Sequence, residues 1–199
     1  MAPIRVVIIG HSFIRRLQDF IARNTENDNL RLYRHLFDVQ FLSDGGLTVD
    51  RMAHGPKFTT FDPPPQIVFC VDPAVHAIGG NDLDNTHLAA DTLVRKIQSY
   101  VNYLVLGCGV RHVVIGQILR RNRRGDYNSR VVEANCRLQN WASSLDNITF
   151  HHHHGFWKDL SFLSTDGVHI RCSRIDSSQM RKYLQSVKRA VLRASRSIW

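Results

Sequence analysis

The sequence has no apolar run near the roughly 20 residues that a bilayer-spanning helix requires. Its longest greasy stretch, Val101 to Val110, is interrupted by Asn102, and a membrane span is excluded. There is no basic leader before the first apolar run, Ile4 to Ile9, and no small-residue cleavage site after it. That run therefore reads as a strand, Sec-type export is not expected, and an intracellular location, cytoplasmic or nuclear, is. The four cysteines, Cys70, Cys108, Cys136 and Cys172, lie far apart with no paired metal-ligand spacing, which favours reduced thiols over a disulfide framework or a zinc site. Neither G-x-x-x-x-G-K-[ST] nor G-x-G-x-x-G occurs, so phosphate-loop and dinucleotide readings fail. The nucleophile elbow G-x-S-x-G is also missing. No cofactor is expected.

Hydrophobic residues make up 43% and charged residues 22% of the chain, values that exclude disordered, collagen-like and coiled-coil classes. The 199 residues contain no internal repeat or low-complexity linker, and they suffice for a single domain, 1–199, with one continuous core. The net charge of +9 is unevenly spread. Arg120, Arg121, Arg123 and Arg124 crowd one short segment, and from Ser177 to Trp199 there are Arg181, Lys182, Lys188, Arg189, Arg193 and Arg196 with no acid. Such blocks suit a polyanionic partner such as nucleic acid, because neutralising phosphates releases counterions. They equally suit a solvated helix face and a basic loop.

Ile4 to Ile9 is a β-branched run closed by Gly10, the pattern of a strand buried on both faces. Phe13, Leu17, Phe20 and Ile21 recur at helical spacing, which predicts a helix to about Asn24 with Ser12 as its N-cap. Further strands are predicted at Phe37 to Leu42, Gln66 to Phe69, His112 to Ile118 and Ile148 to Phe150. Further helices are predicted at Val49 to Ala53, about Asp84 to Leu106, Val131 to Leu145 and Ser178 to about Ala194. Strands alternating with long helices imply a three-layer α/β/α sandwich around a mainly parallel five-stranded sheet. In such sheets the working groups collect at the carboxyl ends of the strands.

Four short segments fall at that edge: Gly10-His11-Ser12, Gly45-Gly46-Leu47-Thr48, Gly79-Gly80-Asn81-Asp82 and Asp166-Gly167-Val168-His169. Taken singly, Ser12 and Asn81 read as helix caps, the glycines as turns, and Asp166 with His169 as a surface loop. Together they hold the inventory of nucleophilic acyl transfer, because a serine hydroxyl needs a histidine to take its proton and a carboxylate to orient that histidine. Asp166 and His169, three residues apart across a small glycine, suit the last two roles. Ser12, at a helix N-terminus, suits the nucleophile. The Ser12 N–H, the Gly46 N–H and the Asn81 amide suit a three-donor oxyanion hole.

These segments resemble the blocks of the SGNH hydrolase superfamily, the GDSL-type esterases and lipases, in the family's order and over nearly the whole chain, from Val6 to about Val191. The resemblance implies that Ser12 is the nucleophile and an oxyanion donor, that Gly46 and Asn81 complete the hole, and that Asp166 and His169 complete the triad. Ile9 to Leu17, Gly46 to Arg51 and Ile78 to Leu83 are similar to animal SGNH-type domains of expanded gene sets, some of them associated with retroelements.

Three departures from that pattern bear on the site. His11 stands where the family usually has an aspartate, so the bracing of the first block must differ. Cys70 to Val75 reads as extra sequence between the third strand and the glycines, and Arg171 to Asp176 as an extension after His169. The run His151 to His154 invites a metal reading, but alternate side chains of an extended segment face opposite ways, so no more than two reach one ion. These histidines are expected on the rim of the active site, after the fifth strand. Two functions are carried forward: hydrolysis of a small ester substrate, and an inactive or weakly active binding module on the same fold that holds nucleic acid through its basic segments.

Overall fold

The computed structural model describes residues 2–70, 82–83, 87–122 and 125–198. Five strands, β1 (Ile4–Gly10), β2 (Phe37–Ser43), β3 (Ile67–Cys70), β4 (His112–Gly116) and β5 (Ile148–His151), form a sheet in the order β2-β1-β3-β4-β5. Every pairing in it is parallel. Along β1, Ile4, Val6 and Ile8 enter one core while Val7 and Ile9 enter the other. This two-sided burial is why Val6 to Ile9 is a continuous apolar run that does not alternate with polar residues, the half-buried Arg5 standing near the start of the strand.

Helix α1 (Ser12–Arg23) follows β1. It buries Phe13, Ile14, Leu17, Phe20 and Ile21, a stripe in which each large side chain contributes about 1.5–3 kcal/mol on leaving water. Its last turn is closed by Asn24, whose side-chain amide donates to the Phe20 carbonyl at 2.8 Å. The short helices α2 (Val49–His54) and α3 (Pro56–Thr59) come after β2. The long helices are α4 (Ala90–Leu106), α5 (Tyr127–Ala142) and α6 (Ser178–Ser195). Met180, Tyr183, Val187 and Val191 of α6 join the α1 stripe over one face of the sheet. Met52 of α2, Leu93, Ile97 and Val101 of α4 and Leu138 of α5 cover the other. The chain is thus the three-layer sandwich that the alternation of elements implies.

Several boundaries differ from the expectations. His11, not Ser12, is the N-cap of α1, and no side-chain cap bond is made there; Ser12 is the first helical residue. The β4 ladder ends at Gly116, two residues before Ile118, and α5 begins a turn before Val131. Cys70, read as the start of an insertion, is instead the last residue of β3, paired with Ile9 and Ile115. The remainder of that proposed insertion, residues 71–75, lies outside the described residues, as do residues 84–86 at the predicted start of α4.

Two members of the histidine run, His151 and His153, also depart from their expected place. The side chains of the run do alternate: His151 and His153 are buried, while His154 is exposed. The buried pair converges on one hydroxyl in the core, with His151 Nε2 at 3.0 Å and His153 Nδ1 at 2.9 Å from Ser186 Oγ. Burial, aided by the neighbouring His154, Arg193 and His152, pushes the His151 imidazole down to about 4. Burial pushes His153 well below the ordinary histidine range. Both are therefore neutral core residues that share a serine, and they do not line the rim of the candidate active site.

Candidate active site

The carboxyl end of β1 delivers Ser12 to the edge of the sheet. Gly10 pairs with Ser43 at the end of β2, and two residues later Ser12 opens α1, only 8% exposed. Its Oγ lies 3.2 Å from His169 Nε2, and His169 Nδ1 lies 2.7 Å from Asp166 Oδ2. A hydroxyl, an imidazole and a carboxylate are thus in one line. Ser12 is the first residue of α1, and the N-terminal end of a helix dipole favours negative charge.

The Asp166–His169 turn is held by its own polar groups. Asp166 Oδ1 accepts hydrogen bonds from the Ser164 hydroxyl at 2.7 Å, the Val168 N–H at 2.9 Å and the His169 N–H at 2.8 Å. Oδ2 is thereby left for the imidazole. The base of the turn is closed by the Ser164 N–H to the His169 carbonyl at 2.7 Å and by a bridge between Leu163 and Ile170. The extra residues from Arg171 to Asp176 leave from this bridge and return to α6, where Asp176 Oδ1 accepts from the Ser178 N–H and hydroxyl. They form a closed excursion that leaves His169 beside Ser12.

Charge follows from these contacts. Burial works against ionisation of Asp166, but the hydrogen bonds from His169, Ser164 and Val168 outweigh it and hold the carboxyl well below the usual carboxylate range. Burial lowers His169 below its ordinary value, with the nearby Arg16 and Arg121 acting in the same sense and Asp166 partly offsetting them. A neutral imidazole bonded to Asp166 through Nδ1–H presents a lone pair at Nε2 toward the Ser12 hydroxyl, the tautomer that this hydrogen-bond pattern assigns. The ring also packs against Phe13, with centroids 5.8 Å apart.

The second glycine segment sits at the same edge. Gly46 has φ +65°, and its turn is bound by Arg51, which donates to the Gly45 and Gly46 carbonyls, both at 2.9 Å, and to Asp44 at 3.0 Å. The Asp44 N–H reaches the Gly10 carbonyl at 3.3 Å and ties this turn to the end of β1. Asn81, with Gly79 and Gly80, lies outside the described residues. The following Asp82 is buried, and its carboxylate accepts the Val49 N–H at the start of α2 at 3.2 Å. His11 is fully buried beside the Phe13 ring.

The arginine segment after β4 divides. Arg120 lies over the Trp157 ring at 5.7 Å. Arg121 is fully buried over Tyr127 at 4.6 Å and is therefore not a surface contact for a polyanion, which corrects its place in the basic cluster. Arg123 and Arg124 lie outside the described residues. Ser164, Arg51 and Asn122 carry the loops yet were not singled out from sequence. Of these, Ser164 had a local signal, since a serine two residues before an Asp-Gly pair is turn chemistry.

No protein-family model matches the sequence, and no curated protein is significantly similar to it. Solved structures are similar in fold. An acetyl esterase with bound acetate is 13% identical with a TM-score of 0.68, over 100% of both chains. A carbohydrate esterase family 3 protein from Talaromyces cellulolyticus is 14% identical with a TM-score of 0.66, over 97% of each chain. The C-terminal catalytic domain of a Streptococcus pneumoniae peptidoglycan O-acetyltransferase, carrying a methylsulfonyl adduct, is 17% identical with a TM-score of 0.63, over 98% of this chain and 96% of that one. The chain has the α/β fold of these proteins, the fold that the sequence alternation and the SGNH resemblance led one to expect.

Gly167 is where the turn tolerates least. Its φ is +69°, and a Cβ would stand 3.0 Å from Asn122 Cβ and 3.1 Å from the Asn122 carbonyl oxygen. Gly167→Ala is expected to lower stability by about 1–3 kcal/mol from the left-handed backbone alone. Urea unfolding measures this, and an unchanged midpoint contradicts it.

Proposed function

We propose that the protein is a serine hydrolase of the SGNH type acting on small carboxylic esters. The observation that carries this reading is the continuous path from Ser12 Oγ through His169 to Asp166, at 3.2 and 2.7 Å. Ser12 Oγ attacks the acyl carbon while its proton passes to His169 Nε2, and the imidazolium formed is stabilised by Asp166. The developing oxyanion is received by the Ser12 N–H, the Gly46 N–H and the Asn81 amide. Collapse expels the alcohol, which takes the proton from His169, and an acyl-Ser12 remains. A water molecule then gives its proton to His169 and attacks the acyl carbon, and release of the carboxylic acid returns the proton to Ser12 Oγ.

Several solved structures of the same fold are described as acetyl or acetyl xylan esterases, and short acyl groups are accordingly the first substrates to test. Ser12→Ala is expected to abolish both nitrophenyl acetate hydrolysis and fluorophosphonate labelling while leaving the fold intact. The base must be neutral to accept the Ser12 proton, and burial holds His169 below the ordinary histidine value. The wild-type kcat/KM should therefore be level near neutral pH and fall as pH drops, with a midpoint below 6.5. Turnover by Ser12→Ala equal to wild type, or an acid limb centred above 6.5, sinks the assignment.

The alternative reading, a nucleic-acid-binding module, rests on α6. Arg181, Lys182, Arg189 and Arg193 are exposed on that helix, and Arg196 is exposed at its C-cap. None of them forms a salt bridge with a described residue. If they hold phosphates, affinity for duplex nucleic acid falls steeply with salt, and Arg189→Gln with Arg193→Gln lowers the log–log slope by about 2. Binding that is insensitive to salt rules out this mode.

A further inference from the structure

The Asp166–His169 turn is braced from outside by the segment that follows β4. Asn122 donates its N–H to the Gly167 carbonyl at 2.8 Å, and the same residue crowds the space where a Gly167 side chain would stand. This segment has already left the β4 ladder at Gly116, and two asparagines of α5 hold it. Asn135 accepts from the Ile118 N–H and donates to the Ile118 carbonyl, both at 2.8 Å. Asn128, two turns earlier on the helix, accepts from the Arg121 N–H at 3.0 Å and donates to the Arg121 carbonyl at 2.9 Å.

Each amide satisfies both backbone groups of one residue, as a neighbouring strand would. The spacings agree as well. Seven residues of helix advance about 10.5 Å, and three residues of extended chain span about 10 Å, so α5 matches the rise of the segment from Ile118 to Arg121. The Arg121 side chain is buried over Tyr127, a residue of the same helix.

We propose that Asn128 is a positioning residue for the reaction: by clamping Arg121 it sets where Asn122 meets Gly167, and through that contact where His169 stands against Ser12. Asn128 touches neither the substrate nor the reacting atoms. The catalytic consequence rests on the ester-hydrolysis reading above, whereas the effect on the place of His169 does not. A merely structural Asn128 would change the amount of folded protein and nothing else.

The test compares Asn128→Ala and Asn128→Asp with wild type, using nitrophenyl acetate as substrate and counting active sites with the fluorophosphonate probe. For Asn128→Ala, kcat per active site is expected to fall about ten- to hundredfold with KM within about twofold, the scale of a reacting group displaced by about 1 Å. Asn128→Asp keeps the acceptor for the Arg121 N–H and loses the donor, so it should fall between. A loss that only tracks the folded fraction overturns the proposal.

A second arm needs no turnover. In Ser12→Ala protein, the His169 imidazole signals are followed by NMR with and without Asn128→Ala, and identified by their loss in His169→Ala. They are expected to move, and the titration midpoint to rise toward the ordinary histidine value as the ring, with Asp166 in the same turn, leaves its buried place near Arg16 and Arg121. Unchanged signals and midpoint overturn the proposal whether or not the wild type hydrolyses esters. Shifted signals in a protein whose wild type neither labels nor hydrolyses would uphold the clamp and sink the esterase reading. If Asn128→Ala does not fold, the same measurements on Asn128→Asp decide.

Discussion

The hydrogen bond between Ser12 Oγ and His169 Nε2 joins residues 157 positions apart, and the candidate site exists only where those two ends of the chain meet. Neither side chain is held by the contact itself. Ser12 is placed by a strand that is buried from Val6 through Gly10 and by the helix that follows, whose Phe13, Leu17 and Phe20 lie in one core with Val6 and Ile8 of that strand. His169 is placed by a turn in which one aspartate satisfies three donors and the imidazole together. Because packed interiors yield little, a contact of this kind survives only if both supports are stiff.

The parallel sheet explains why the supports converge. All five strands point their carboxyl ends to one edge, so the loops after β1, β2 and β4 approach each other there although they are distant in sequence. The Asp44 N–H bonds to the Gly10 carbonyl, which ties the second loop to the first, and the Asn122 N–H bonds to the Gly167 carbonyl, which ties the loop after β4 to the histidine turn. Backbone groups that have run out of sheet partners find partners in neighbouring loops and in the side chains of Asn128 and Asn135, and each such bond also fixes a loop.

Charge at this edge is arranged by position. Burial lowers His169, Arg16 and Arg121 add to that and Asp166 partly offsets it, while Asp166 stays ionised because the donors of its own turn outweigh the cost of its burial. The imidazole is thereby neutral, but bonded to a carboxylate able to stabilise its protonated form. A general base near neutrality needs that balance.

Strand and helix periodicity in the sequence determined the layer architecture. The β-branched run Ile4 to Ile9 and the stripe of Phe13, Leu17, Phe20 and Ile21 read correctly without any tertiary information, because both patterns are local consequences of burial on a fixed period. The four loop segments pointed to Ser12, Asp166 and His169 by residue type and order. What the sequence did not determine was which polar residues serve structure. The expected Ser12 cap is not made: His11 takes the N-cap position, and the Ser12 hydroxyl, on the first helical residue, meets an imidazole from the other end of the chain. His151 and His153 lie in the core because Ser186 of α6 meets them there. Arg121 looked like one of a surface cluster and is buried because Tyr127 and Asn128 receive it. In each case the deciding partner comes from another element of the fold, and a hydrogen-bonding side chain carries no mark in the sequence of the partner it will find.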